Sequence, residues 1–158
     1  MSNARNAALT IQRAGGDELD EVLGVINAAF DPRFGEAWTR NQCAGILPMA
    51  GVSLTVARQS DAIVGFSLAR RILDEAELLL IAVRPECRGT GIASRLLEHF
   101  VAQQQQAGVN SLHLEVRGSN PAVELYAKHG FAVAGRRANY YRGTDGEKFD
   151  ALTMVRSV

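Results

Sequence analysis

Six apolar residues in a row, Leu78-Leu79-Leu80-Ile81-Ala82-Val83, run into Pro85 and then into Arg88-Gly89-Thr90-Gly91. Beyond them Ile92, Leu96, Leu97, Phe100 and Val101 mark one face of a helix. An unbroken run this short predicts a central strand over residues 77–83, buried on both faces, since a half-exposed strand alternates. Proline cannot continue a ladder and glycine turns the chain at positive φ, so strand, loop and helix follow in that order. The helix continues through glutamines 103–106, expected as its solvated last turn, and stops at Gly108. A buried strand feeding an amphipathic helix commits the chain to a layered α/β fold.

The remaining pattern adds a strand over residues 9–13 and a helix over 17–30 with Asp17 as its cap. Asp31, Pro32 and Gly35 interrupt the chain before a short helix over 36–44 that presents Trp38. A hairpin follows, with strands at 52–56 and 63–68 around a polar turn at 58–61. Residues 111–116 alternate, placing His113 and Glu115 on one face of a strand. Pro121 then opens a short helix, behind Ser119 and Asn120 as caps, that carries Tyr126 and ends at Gly130. Residues 131–141 and 149–155 close the chain as a hairpin around 143–146. We read residues 1–8 as a flexible N-terminus and 9–158 as one domain, a length that supports a core without disulfides or metals.

Seventeen Lys and Arg balance seventeen Asp and Glu, so the basic footprint of a nucleic-acid or anionic-membrane binder is missing, and an anionic ligand must be held locally. No apolar leader and no stretch of ~20 apolar residues is present, which predicts a cytoplasmic protein that meets neither membrane nor nucleic acid. Cys43 and Cys87 form no CxxC and are read as reduced thiols; His99, His113 and His129 have no metal-site spacing, and no metal is expected.

The loop at 88–93 is where such a ligand belongs. Glycines let successive N–H groups converge, and the helix N-terminus adds its positive dipole, an arrangement suited to a diphosphate. A P-loop is excluded because GxxxxGK[ST] is absent. A dinucleotide site is the rival reading, with Gly89-x-Gly91 opening a helix and Glu115 ending the next strand. Against it, five residues separate strand from glycine, Ser94 holds the third glycine position, and little chain follows Glu115.

A third kind of ligand is suggested by a family likeness. The stretch Val83-Arg84-Pro85-Glu86-Cys87-Arg88-Gly89-Thr90-Gly91-Ile92-Ala93-Ser94-Arg95-Leu96-Leu97 resembles motif A of the GNAT family of N-acetyltransferases, and NPAVELYAKHGF, from Asn120 to Phe131, resembles the motif that follows it. Leu73-Asp74-Glu75-Ala76-Glu77, Leu114-Glu115-Val116-Arg117, Tyr140-Tyr141 and Thr144-Asp145-Gly146 resemble the bacterial ribosomal-protein-alanine N-acetyltransferases of RimI type. The resemblance spans nearly the whole chain.

It implies a mixed, mostly antiparallel seven-stranded sheet, splayed at its centre and flanked by about four helices. Backbone groups of Ile81, Ala82 and Val83 would pair with the pantetheine arm of acetyl-CoA, the co-substrate, and N–H groups of Arg88, Gly89, Thr90, Gly91, Ile92, Ala93 and Ser94 would hold its pyrophosphate. Asn120 would contact pantetheine, with Ser119 as the alternative because Asn120 precedes Tyr126 by six positions, one fewer than the family's usual spacing.

The resemblance also implies acetylation of a protein N-terminal amine, that of a ribosomal protein's alanine, by direct attack in a ternary complex. An α-amine, with a pKa of roughly 7.7–8, needs only a modest base, whereas a lysine near ~10.4 is harder to deprotonate. Glu115 stands at the base position, with Glu77 as rival and His113 on the same face. By the same resemblance Tyr126 would be the acid for the leaving thiolate, and a backbone N–H near Val83 would be the oxyanion donor. Tyr140 and Tyr141 would border the acceptor channel, Arg136 and Arg137 add positive potential, and Phe34 and Trp38 form the opposite wall. Leu80 stands where RimI-type sequences often have Asn, a change on the acceptor side. The partner is then a protein N-terminus, and the enzyme a monomer or weak dimer. The alternatives are a lysine or small-amine acceptor and a non-catalytic acyl-CoA-binding module.

Overall fold

A computed structural model describes residues 8–158. Among the described residues, seven strands form one open sheet: β1 (Leu9–Ala14), β2 (Val52–Gln59), β3 (Ala62–Ile72), β4 (Glu75–Val83), β5 (Ser111–Arg117), β6 (Ala132–Arg142) and β7 (Lys148–Ser157). Their spatial order is β1-β2-β3-β4-β5-β7-β6. Neighbours are antiparallel except β4 with β5, whose parallel register requires the crossover through α3 (Ile92–Gln106). Helices α1 (Leu19–Ala29) and α2 (Arg40–Ile46) cover one face of the sheet, while α3 and α4 (Ala122–Lys128) cover the other. No helix among the described residues is long and apolar enough to cross a membrane. The flexible N-terminus expected over residues 1–8 lies, Ala8 apart, outside the described residues.

The apolar run behaves differently from the expectation of a strand buried on both faces. Leu78, Leu80, Ala82 and Val83 are buried, but Leu79 and Ile81 are only half-buried. The ladder with β3 also bulges here: Leu68 pairs with Leu80 and Ala69 with Leu78, leaving Leu79 as an extra residue. Leu78 packs with Leu97 and Phe100 of α3, whereas Leu79 and Leu80 both pack toward Val25 and Ile26 of α1. Pairing of β4 with β5 stops at the same place, running only from Glu75 with Ser111 to Leu78 with Leu114. Beyond that point both strands continue, each held by its outer neighbour, and a gap opens between them.

Three helix details depart from the sequence reading. The cap of the first helical segment is not Asp17; Glu18 reaches back to the Gly15 N–H at 2.9 Å, and α1 begins at Leu19. The helix expected over 36–44 is α2, displaced because Thr39 and Gln42 form a reciprocal capping box, Gln42 N–H to Thr39 Oγ1 at 3.2 Å and Thr39 N–H to Gln42 Oε1 at 2.8 Å. Glu36 and Trp38 therefore precede the helix. The glutamine turn of α3 is not wholly solvated, since Gln104 is buried and its Oε1 accepts from Arg71 Nε at 2.9 Å. A buried amide costs free energy unless paired, and Arg71 on β3 supplies that pair. The core around α3 is apolar, and truncating fully buried Phe100 to Ala is expected to cost about 3–5 kcal/mol.

Candidate active site

The gap between β4 and β5 is the mouth of a cavity of about 810 Å³. Residues 79–83 of β4 and 114–117 of β5 form its two sides, and α4 closes one end with Leu125 and Tyr126. On the other face stand Phe34, Glu36, Trp38, Tyr140 and Tyr141. Because the two strands no longer pair here, their facing backbone groups are free to bond an extended ligand, the way a strand edge accepts a further strand.

The glycine loop opens at one end of this seam. Gly89 and Gly91 take φ of +78° and +84°, yet a Cβ on either would meet nothing within 4 Å. Glycine is thus required there for backbone conformation and not for room. Among the described residues, no backbone acceptor takes the N–H of Gly89, Thr90, Gly91, Ile92, Ala93 or Ser94, and the first helical bond of α3 is Arg95 N–H to Gly91 C=O at 3.1 Å. Six successive free donors at a helix N-terminus make an anion site. Arg88, Gly89 and Ala93 line the large cavity, while Gly91, Ile92 and Ser94 line an adjoining pocket of about 200 Å³. Thr90 lines neither; its hydroxyl donates to the Cys87 carbonyl at 2.7 Å and braces the loop. Ser94 Oγ lies 3.3 Å from His129 Nε2, joining the start of α3 to the end of α4.

Glu115 and Tyr126 reach the cavity from opposite faces of the sheet. On β5, Leu112, Leu114 and Val116 pack toward α3 and α4, so the alternation turns Glu115 toward the α1 side. There its Oε2 accepts from Thr153 Oγ1 at 2.8 Å and its Oε1 pairs with Arg137 Nε at 3.1 Å. Tyr126 is 6% exposed and packs edge-on against Phe131, with ring centroids 6.2 Å apart. Its hydroxyl makes no hydrogen bond to the described residues. Burial, and next the Glu36 carboxylate, push its phenol well above the usual tyrosine range. The rival Glu77 also lines the cavity, but it pairs with Arg70 at 3.7 Å and sits where β4 and β5 are still zipped, beside His113.

Tyr140 and Tyr141 are delivered by an irregularity in β6. Arg137 pairs with Ala151 and Tyr141 with Phe149, so the intervening chain bulges out, with Asn139 at φ +54°. Asp150 pins the bulge, accepting from Asn139 N–H at 3.0 Å and Arg136 at 3.1 Å. The two tyrosine rings meet edge-to-face at 4.9 Å. The Tyr141 phenol is also raised, first by burial and then by Glu36, Tyr140, Glu115 and Tyr126, which gather these groups around one space.

The sequence reading missed what holds the cavity wall formed by Phe34, Glu36 and Trp38. Residues 31–38 form a strap, and Glu36, expected inside a helix, pairs with Arg117 Nε at 3.1 Å and accepts from Asn120 Nδ2 at 2.9 Å. Arg117 also donates to the Ser119 hydroxyl and lies 3.7 Å over the Phe34 ring. Asn120 Oδ1 meanwhile accepts from Ala122 N–H at 2.9 Å, so both ends of that amide, and the Ser119 hydroxyl, are engaged inside the protein. The available signal was Arg117 on the same strand face as His113 and Glu115, a buried cation that needs a carboxylate; which carboxylate it takes is not written locally.

A family model described as the acetyltransferase (GNAT) domain matches residues 50–133. The [ribosomal protein bS18]-alanine N-acetyltransferase of Escherichia coli K12 is 42% identical over 98 residues, which cover 61% of this chain and 66% of that protein. Its counterpart in Haemophilus influenzae is 40% identical over 97 residues, again 61% of this chain and 66% of the relative. The aligned part of the chain thus spans about two thirds of these relatives. The crystal structure of the E. coli ribosomal-protein-S18-alanine N-acetyltransferase superposes with a TM-score of 0.86 at 31% identity, covering 96% of this chain and 94% of that one. Ard1 from Thermoplasma volcanium superposes with a TM-score of 0.83 at 27% identity, covering 96% and 98%. A splayed parallel pair, a free N–H loop and these matches agree, and the chain belongs to the GNAT family of acetyltransferases.

Proposed function

We infer that the protein moves the acetyl group of acetyl-CoA to the α-amine of a protein N-terminus, and that its acceptor is the alanine terminus of a ribosomal protein, met in the cytoplasm. The observation that carries the donor half is the run of six unbonded N–H groups opening into the seam beside β4. Gly89 to Ser94 hold the pyrophosphate, without the Arg88 N–H expected beside them, which already donates to the Pro85 carbonyl at 3.2 Å; Ile81, Ala82 and Val83 offer backbone groups to the pantetheine amides, and Asn120 contacts pantetheine from the channel wall. The names and identities of the relatives carry the acceptor half.

The thioester supplies an activated acyl carbon, and the chain's own residues do the rest. Glu115 takes a proton from the attacking amine, directly or through water, as the C–N bond forms. An N–H of β4 beyond the bulge, near Val83, faces the developing oxyanion. As the C–S bond breaks, Tyr126 gives its proton to the thiolate; burial keeps that phenol protonated at neutral pH, the state an acid must start from. Tyr140 and Tyr141 border the incoming peptide.

Mass spectrometry after incubation with acetyl-CoA tests this on three peptides: a ribosomal N-terminal peptide beginning with alanine, its N-terminally blocked copy, and an internal lysine peptide. Label on the free terminus alone is expected. Label on the blocked or lysine peptide moves the acceptor to a side-chain amine, and no label on any of them removes a protein terminus as substrate.

A further inference from the structure

Glu36 joins two parts of the site that the chain places far apart. Its partners Arg117 and Asn120 are 81 and 84 residues away, and the ion pair is largely buried, with side-chain exposures of 12% and 8%. Such a pair is costly to desolvate and offers stability no better than apolar packing would, so its value is more readily found in what it orients. Here the orientation is strict. Asn120 Oδ1 accepts from Ala122 N–H and caps α4, which forces Nδ2 outward. Arg117 presents another N–H to the same place. Two donors converge, and a carboxylate satisfies both, whereas an amide would meet one of them with its own N–H.

The same strap is tied down at its other end. Gly35 lies so close to Arg142 that a Cβ would collide with its carbonyl, and Thr144 N–H donates to the Pro32 carbonyl at 3.2 Å. Movement at Glu36 is therefore felt at the acceptor wall in one direction and at the first turn of α4 in the other. That helix carries Tyr126, whose phenol also lies within the field of Glu36.

We propose that Glu36 is a positioning residue: by accepting from Arg117 and Asn120 together it locks the Asn120 cap, and so couples the acceptor-side strap to the helix that holds Tyr126. This rests on the acetyl-transfer reading for its kinetic consequence, though not for its structural one.

An amide-for-carboxylate swap tests it. Glu36→Gln sets an N–H against the Asn120 donor, and Asn120→Asp sets a carboxylate against Glu36, so each is expected to lower kcat and raise the acceptor KM, by about tenfold in kcat/KM. Glu36→Gln combined with Asn120→Asp restores every bond, with only the one between the two residues reversed in polarity: the amide introduced on the strap would donate to the carboxylate introduced before α4, which still caps Ala122, while the carbonyl of that amide would still accept from Arg117. The double variant is expected to recover to within about threefold of the parent. Losses that add or deepen in the double variant overturn the coupling. Hydrogen exchange at the Ala122 amide reads the cap without any substrate; it is expected to quicken in Glu36→Gln and slow again in the double variant, and unchanged exchange in the single variant overturns the proposal. A parent protein that acetylates none of the peptides while its variants show this exchange pattern removes the acetyl-transfer reading and leaves the coupling; transfer with additive losses does the reverse.

Discussion

On one side of the seam the site is made of backbone: six free N–H groups between Gly89 and Ser94, and the unzipped edge of β4. On the other it is made of side chains held by distant partners, with Glu36 on Arg117 and Asn120, Glu115 on Arg137, and the Tyr140-Tyr141 bulge on Asp150. A donor that never changes can be recognised by main-chain groups that every sequence possesses, provided glycines allow the geometry. An acceptor must be told apart from other amines, and that discrimination is expected of side chains. The two halves should therefore fail differently when altered.

The largest effect is expected where the halves meet. Glu115→Gln keeps the Thr153 hydrogen bond within reach but removes the proposed base, so turnover should fall by about a hundredfold or more, while the dissociation constant for acetyl-CoA, measured by calorimetry, stays within about twofold. A comparable loss of acetyl-CoA affinity would show that Glu115 belongs to the donor half, and unchanged turnover would take the base role away from it.

Two glycines sharpen the division next. Gly35→Ala forces a Cβ into the Arg142 carbonyl at φ +69°, so the strap must shift, and the acceptor KM should rise by about thirtyfold or more with donor affinity nearly constant. Gly91→Ala has open space and only the left-handed backbone to contend with, a cost of about 1–2 kcal/mol, or about five- to thirtyfold in acetyl-CoA affinity. Steady-state KM values for both substrates, side by side, read the outcome. Equal damage to both from either glycine would mean that the halves are one mechanical unit.

The same division explains how far the sequence could be read. The proposed donor half is local: strand, Pro85, Gly89, Gly91 and the α3 face fall within some thirty positions, and periodicity with turn chemistry places them in order. The bulge at Leu79 escaped that reading, because a run of apolar residues has no alternation to break and so hides the extra residue at the point where β4 parts from β5. On the proposed acceptor half, Glu36 looked helical because the capping signal at Thr39 and Gln42 was overlooked, and its pairing with Arg117 spans 81 residues. Motif likeness singled out Glu115 and Tyr126, and both line the cavity; it did not show the bonds that hold the wall formed by residues 31–38.

The smallest effect is expected at the rim, and it concerns pH. Asn139 sits at positive φ, a conformation that asparagine tolerates better than most residues, and Asp150 rewards it by accepting its N–H. That bond first, and the Arg136 guanidinium second, hold the Asp150 carboxyl below its ordinary value of 3.8. A carboxyl depressed in the folded state stabilises the bulge above its unfolded pKa and loses that contribution as pH falls through the folded one. The bulge should accordingly be indifferent to pH from neutrality down to about 4 and loosen only below it. Because Asp150 is solvent-accessible and its partner Arg136 is exposed, water and salt screen the pair, and Asp150→Asn should change the acceptor KM at neutral pH by less than about threefold. Hydrogen exchange at Asn139 followed between pH 3 and 7 checks the sign: protection that weakens near neutrality would mean that Asp150 is not what holds Tyr140 and Tyr141 in place, and that the acceptor rim, unlike the strap, is shaped by its backbone.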